Sequence, residues 1–266
     1  MGTAKAGLEW HGSTLLRRTV GTLSRGLDGP VVVVRAPGQE LPELPAGVEV
    51  VDDPHEGRGP LQGIAVGLAA VAERAPSAFV CSTDLPFLHT AFVRRVLRAL
   101  ADGAYDVVLP HVHGFRQPLA AAYATSLAPL AGQLLAEGVS APKLLLDRSR
   151  TLVLDDAALL QDAALRAADP ELASVLNLNE PADYAAARAR PAPTVTVQRF
   201  GVLASGGQHG QRQVAAATLA GAADAVGLVL DRYVLAAVNG DQTGRDPELP
   251  LVAGDVVAFL SADAGG

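Results

Sequence analysis

From residue 13 to about 190 the chain alternates short apolar, β-branched runs with stretches of helical periodicity. This alternation constrains the fold more than any other feature. The strand candidates are Val31–Arg35, Val48–Asp52, Ala78–Ser82, Asp106–Pro110, Leu119–Ala124, Thr151–Leu154 and Val175–Leu178. Helix candidates lie between them at Ser13–Arg25, Leu61–Arg74, Thr90–Asp102, Leu127–Glu137, Ala157–Ala168 and Pro181–Arg190. Most of the strand runs are continuously apolar rather than alternating. Such runs suit strands covered by helices on both faces, as in a parallel α/β sheet.

The rhythm breaks at ARARPAPT (187–194), a Pro- and Arg-rich stretch that reads as an exposed linker. Beyond it come TVTVQRF (194–200), a helix candidate around 211–222, YVLAAVNG (233–240) and LPLVAGDVVAFL (249–260). The pair Asn239-Gly240 signals a turn, although the pattern places no strand immediately after it. The division predicted is therefore 1–190 for a large α/β domain and 191–266 for a small α+β domain. No internal repeat is present.

Composition narrows the function. An apolar fraction of 49% and a charged fraction of 18% exclude wholesale disorder. The net charge of −7 argues against a nucleic-acid groove, though one local positive site could still hold a small phosphorylated ligand. Cys81 is the single cysteine, so neither a disulfide framework nor a cysteine-based zinc site is available. No apolar run is long enough to span a membrane, and the start has no signal-peptide pattern. A cytoplasmic location is expected. Of the 21 basic residues only Lys5 and Lys143 are lysines, and Lys5 sits in a loop-like run of small residues.

The strongest local motif is AFVCSTDLPF (78–87), an apolar strand that ends in Thr83-Asp84-Leu85-Pro86. Ligands of open α/β sheets sit outside the carboxyl ends of strands. A carboxylate there suits Mg²⁺, which takes one or two protein carboxylates and keeps positions for water and phosphate. An aspartate at that place also caps turns. VEVVDDP (48–54) puts Asp52 and Asp53 at a second strand end. In HEGRGPLQG (55–63), Gly59, Pro60 and Gly63 open a helix whose free N–H groups suit an anion or a base edge. NLNEPADY (177–184) offers Asn177 and Asn179 ahead of a helix with proline in its first turn. His55, His111 and His113 read as solvated or substrate-side groups, since two ligands in PHVHG are too few for a metal. Cys81 reads as a buried core thiol, and Trp10 as a residue packing its loop against the sheet.

In their order and spacing MG-x-x-K, VVDDP, GRGPLQG, CSTDLP, GFRQPLAAAY and VLNLNEPADY resemble the molybdenum cofactor guanylyltransferase family. That family has a nucleotide-sugar-transferase-like, Rossmann-like sheet with helices on both faces. The resemblance runs from residue 1 to about 190. It implies transfer of GMP from GTP to the terminal phosphate of molybdopterin, with release of pyrophosphate and with Mg²⁺ as cofactor. By the same resemblance Asp84 holds the metal, Lys5 neutralises phosphate charge, and Gly2, Arg35 and Asp53 contact the nucleotide. Asn177 and Asn179 fall on the pterin side. A cytidylyltransferase, or transfer to another phosphorylated acceptor, shares the fold. A further alternative is a nucleotide domain serving only as a scaffold.

The family pattern places a strand and L-A-G-G-x-S-x-R just before MG-x-x-K, and here Met1 stands at the family's internal methionine. A start codon upstream, a truncated chain and a catalytic relic are all compatible with this. The chain as given implies an open sheet centre and a half-built phosphate site.

The stretch 235–266 ends in Gly265-Gly266. With AAVNG, LPLVAGDVVAFL and a short spacer before it, the stretch resembles the small sulfur-carrier subunit of molybdopterin synthase. That subunit is a ubiquitin-like β-grasp module. The resemblance covers about 194–266 and implies a thiocarboxylate on Gly266. It also implies two partners, the synthase large subunit and an ATP-dependent carrier-activating enzyme. The spacer Ser261-Ala262-Asp263-Ala264 lacks the prolines common in that family, and a thiamine-pathway carrier also ends in Gly-Gly.

Overall fold

The computed structural model describes residues 5–55, 57–101, 103–204 and 210–261. Glu9–Trp10 (β1) and Ser13–Thr14 (β2) form a small hairpin whose turn residues His11 and Gly12 have φ of 46° and 91°. Helix α1 (Leu15–Gly26) follows, capped by the Thr14 hydroxyl, which accepts from the Arg17 N–H at 3.2 Å. Val32–Arg35 (β3) and Glu49–Asp52 (β4) pair in parallel as a separate two-stranded sheet. Gly59 (φ 77°) and Pro60 then start α2 (Pro60–Val71), with Pro60 at a position where its missing N–H costs nothing.

The principal sheet contains Ser77–Cys81 (β5), Val107–Val112 (β6), Phe115–Arg116 (β7), Ala120–Ala124 (β8) and Thr151–Asp155 (β9). Between its strands lie α3 (Thr90–Ala101), α4 (Ala128–Ala136) and α5 (Lys143–Asp147), and α6 (Asp156–Leu160) follows β9. The pleat explains the continuous apolar runs. Val108, Val112, Ala120 and Ala122 pack on one face with Phe92 and Val96 of α3. Val107, Leu109, Ala121 and Tyr123 pack on the other with Leu61 and Leu68 of α2 and Leu134 of α4.

The sheet is mixed rather than purely parallel. Strand β8 runs antiparallel to both β5 and β6, whereas β6 and β9 are parallel. The cause is the β6–β7 hairpin: His113 (φ 52°) and Gly114 (φ 83°) form a tight two-residue turn that reverses the chain.

Three further expectations are corrected. The run Val175–Leu178 is no strand. Asp169 accepts from the Ala173 and Ser174 N–H groups at 2.7 and 2.9 Å, which winds Ala173–Val175 into a 3₁₀ turn, and the Leu178 N–H goes to the Asp84 carbonyl instead of a ladder. Helix 157–168 is split into α6 and α7 (Ala163–Ala168) because Asp155 and Asp162 each cap a separate start. Beyond α8 (Pro181–Arg188) and β10 (Thr194–Arg199), residues 211–222 are not one helix: Gln211–Ala215 (β11) pairs with β10, and Thr218 caps the short α9 (Leu219–Asp224).

The remaining strands are Val234–Val238 (β12), Asp241–Thr243 (β13) and Val256–Ser261 (β14). Asn239 and Gly240, both at positive φ, join β12 directly to β13, a strand the sequence pattern had not placed there. This sheet has the order β11-β10-β14-β12-β13, with its first and last strands in sequence, β10 and β14, parallel at the centre. Its core, including Val197, Leu219, Leu251 and Phe259, draws only on residues 195–259.

The two parts meet along α1. Arg25 pairs with Asp255 at 2.8 Å, Arg17 with Asp246 at 2.7 Å, and the Ser13 hydroxyl donates to Glu248 at 2.8 Å. Gly21 is required at this seam, because a Cβ there would stand 2.5 Å from Cδ of Pro250. No helix among the described residues is long and apolar enough to cross a membrane.

The β1–β2 hairpin is tied to α8. Arg188 pairs with Glu9 and its guanidinium lies 3.1 Å from His11 Nδ1. Burial and then the Arg188 charge lower the His11 pKa from 6.5. Burial opposes ionisation of Glu9, but the Gly12 amide and Arg188 together hold its carboxyl below 4.5. Both folded values lie below the unfolded ones, so both groups contribute stability that is lost on acidification. For His11 the loss begins as pH falls below 6.5, and for Glu9 it begins below 4.5. Thermal melts from neutral pH downward are expected to show a falling midpoint, with the first part of the fall removed by His11→Gln.

Candidate functional site

Strands β3 and β5 each have one unpaired edge among the described residues, and an open cleft of about 760 Å³ separates them. Its floor and walls are apolar, including Val20 and Leu23 of α1, Val33, Ile64 of α2 and Phe79. Its mouth is polar and carries Arg35, Asp53, Gly59, Ser82 and Thr83. This mouth lies at the carboxyl ends of β3, β4 and β5, where open α/β sheets place ligands.

On the β5 side the chain brings together three elements far apart in sequence. The Lys5 Nζ donates to Asp84 Oδ2 at 3.0 Å and to the Leu178 carbonyl at 2.6 Å. The Asp84 carboxylate also accepts from the Ser82 hydroxyl, and its backbone carbonyl accepts from the Leu178 N–H at 3.0 Å. Both charged side chains keep solvent contact, with Lys5 33% and Asp84 16% exposed. Asn177 and Asn179 flank Leu178 and bond to each other at 3.3 Å, while the Asn179 N–H is held by Asp183 in the first turn of α8. Lys5, Asp84 and the backbone of the Asn177–Asn179 segment therefore meet at one place.

Arg35 and Asp53 stand on the opposite, β3–β4 side. The Asp53 N–H donates to the Arg35 carbonyl at 2.7 Å, and the Asp53 carboxylate accepts from the His55 N–H at 2.9 Å. Arg35 is itself engaged by Asp52 at 2.6 Å and by the Gln39 carbonyl at 3.2 Å. Gly59 has little freedom, since a Cβ there would stand 3.0 Å from the Ser140 carbonyl. Gly2, Gly265 and Gly266 lie outside the described residues.

The other candidates take simpler places. His113 is the turn residue of a hairpin, with its ring 3.0 Å from the Glu171 carbonyl, and His111 faces Arg116 across that hairpin. Cys81 is half-buried on the cleft wall rather than sealed in the core. Burial and then the Asp84 charge push its thiol up to about 12. Trp10 is buried edge-on against Phe87 and near Tyr184, which packs the hairpin onto the Asp84 loop and α8. Sequence reading missed Ser82, the Asp52 clamp on Arg35, and Arg18 behind the Asp84 loop. Among the described residues no three or more His, Cys, Asp and Glu side chains gather as a self-sufficient metal site.

Comparison with known proteins bears on the family and the fold. Residues 1–151 match the model of the MobA-like NTP transferase domain. The chain is 39% identical over 155 residues to the "Probable molybdenum cofactor guanylyltransferase" of Mycobacterium tuberculosis (strain ATCC 25618 / H37Rv), covering 57% of this chain and 75% of that one. It is 38% identical over 138 residues to the protein of the same name in Mycobacterium avium (strain 104), covering 52% and 68%. Two solved structures share the fold. Molybdopterin-guanine dinucleotide biosynthesis protein A from Archaeoglobus fulgidus superposes with a TM-score of 0.56 at 23% identity, over 70% of this chain and 90% of that one. The 2-C-methyl-D-erythritol 4-phosphate cytidylyltransferase from Thermus thermophilus gives 0.52 at 20% identity, over 70% and 92%. The family model spans more than half of the chain and the Mycobacterium tuberculosis relative is covered over three quarters of its length, so the chain belongs to the MobA-like NTP transferase family, as a nucleotidyltransferase.

Proposed function

We propose that this protein transfers GMP from GTP to the terminal phosphate of molybdopterin and releases pyrophosphate, as a step of molybdenum cofactor biosynthesis. The observation that carries the reading is the convergence of Lys5, Asp84 and the Asn177–Asn179 segment beside the cleft mouth. The named relatives support it.

The attacking group is a phosphate oxygen, ionised at neutral pH, so the site needs no general base. A new P–O bond forms at the α-phosphorus of GTP as the bond to the pyrophosphate leaving group breaks. Catalysis rests on positioning and charge neutralisation. Asp84 and the Ser82 hydroxyl are hard oxygen donors at the edge of solvent, a set that fits Mg²⁺ once substrate phosphates complete it. When bound, Mg²⁺ supplies electrostatic stabilisation of the phosphates. Lys5, now on Asp84, turns its ammonium to the phosphate charge, as its flexible stem allows. Arg35, Asp53 and Gly2 hold the nucleotide, and Asn177 and Asn179 orient the pterin.

We further propose two domains, 1–190 and 191–266, the second a β-grasp sulfur carrier. The closed core of residues 195–259 and the sheet with parallel β10 and β14 at its centre support this. Gly266 would carry the thiocarboxylate, with the synthase large subunit and an ATP-dependent activating enzyme as partners.

Calorimetric titration with GTP and, separately, CTP in Mg²⁺ tests the enzyme. Selective GTP binding is expected. Preference for CTP would change the base assignment, and binding of neither would favour the scaffold reading. Intact-mass analysis after incubation with the activating enzyme, ATP and a sulfur donor tests the carrier. Deletion of Gly266 is expected to abolish sulfur loading and leave GTP binding unchanged.

A further inference from the structure

Helix α1 carries a buried arginine that has no acidic partner in contact among the described residues. Arg18 is 6% exposed. Its Nε donates to the Pro86 carbonyl at 2.6 Å, its Nη1 to the Ala217 carbonyl at 3.3 Å and its Nη2 to the Leu251 carbonyl at 3.3 Å. Burial and the nearby Arg25 charge lower the guanidinium to about 10, which leaves it charged at neutral pH. A buried charge with no carboxylate in contact is costly even with Asp255 acting on it from further away, and is kept only where its hydrogen bonds are satisfied. The planar fork of arginine can bind three carbonyls on separate segments at once. Lysine presents a single point charge, and methionine fills the volume without donors.

The three acceptors belong to different parts of the molecule. Ala217 and Leu251 flank α9 and β14 in the 194–261 part, whereas Pro86 lies two residues beyond Asp84. The loop is held from the other side by Leu178, whose N–H reaches the Asp84 carbonyl. A second link lies three residues further on: the His89 ring Nε2 is 3.0 Å from the Ala253 carbonyl, and the His89 N–H donates to the Ser174 hydroxyl at 3.1 Å. The segment 84–89 is thus suspended between the two sheets.

We propose that the C-terminal module sets the position of the Asp84 loop, and that Arg18 is the positioning residue that ties Ala217 and Leu251 of the module to Pro86. The module then acts as a buttress of the nucleotidyl-transfer site as well as a carrier. This rests on the reading of Asp84 as the metal-holding residue. Arg25 provides the contrast. It grips the Pro250 carbonyl and Asp255 in the same module, and none of its hydrogen bonds among the described residues goes to the loop.

The test uses the full chain with Arg18→Met, Arg18→Lys and Arg25→Gln. Amide hydrogen exchange is followed over residues 82–89, with 107–112 in the sheet interior as reference. The Mg²⁺ dependence of GTP-driven pyrophosphate release is measured alongside. In Arg18→Met, exchange over 82–89 is expected to rise about tenfold with the reference unchanged. The half-saturating Mg²⁺ concentration is expected to rise about fivefold. Arg18→Lys recovers part of both, since one carbonyl is regained. Arg25→Gln, which loses a seam guanidinium with no hydrogen bond to the loop, raises exchange over 82–89 less than Arg18→Met does. Wild-type exchange over 82–89 in Arg18→Met overturns the proposal. If that variant does not fold, the same result in Arg18→Lys overturns it. A wild-type chain without Mg²⁺-dependent turnover overturns the enzymatic reading alone, because the exchange arm still decides the coupling.

Discussion

Asp84→Ala is expected to lower Mg²⁺-dependent guanylyl transfer by about 10³-fold or more, the scale of losing one preorganised electrostatic group at a reacting phosphate. The fold is expected to survive. The loop is held by backbone and neighbours, through Leu178 to the Asp84 carbonyl, Arg18 to the Pro86 carbonyl and Trp10 against Phe87, and not by the carboxylate. The carboxylate itself stands at the edge of solvent and serves Lys5 and Ser82. Pyrophosphate release and the thermal midpoint, measured together, separate the two effects. Wild-type turnover in the variant would remove Asp84 from the site.

The second large effect is on stability. Asp255 is 3% exposed and accepts three hydrogen bonds: from Arg25 at 2.8 Å, from the Asn239 amide at 2.8 Å and from the Val252 N–H at 2.8 Å. Asp255→Ala strands a largely buried guanidinium and a buried backbone donor. The expected cost is about 3–5 kcal/mol, a large share of a typical domain's stability. Asp255→Asn keeps acceptor capacity for part of this set and is expected to cost less. Denaturant unfolding of both variants measures the difference. A loss of under about 1 kcal/mol in Asp255→Ala would show that water replaces the carboxylate at the seam.

These two aspartates differ in how much of them was legible. Asp84 announces itself: an apolar run of strand length ends in a small polar residue, an acid and a proline, and strand ends are where such sheets bind ligands. Asp255 sits in AGDVV, a motif indistinguishable from an ordinary turn before a strand. Its role depends on Arg25, 230 positions away, and no local pattern carries that partnership. Arg18 is a stronger case. On an amphipathic helix an arginine reads as solvent-facing, and only the docking of a second module over α1 makes it buried.

The amino-acid sequence alone determined the existence and type of most elements, because apolar period and length are local properties. Strands Val32–Arg35 and Val107–Val112 and helices at 15–26, 60–71 and 90–101 all follow from them. The proline at position 60 and the one in the first turn of α8 were likewise local. The sequence also placed Lys5 and Asp84 as candidates, and the family comparison covers both. Tertiary structure decided what depends on pairing. It made the main sheet mixed, since strand direction is set by hairpin turns such as His113-Gly114 and not by hydrophobicity. It turned Val175–Leu178 from a strand into the support of the Asp84 loop, because its amide had a nearer acceptor. It joined the two sheets through the buried guanidinium of Arg18. Hydrophobic period reports which residues leave water. The partner each one meets is a matter of three-dimensional register.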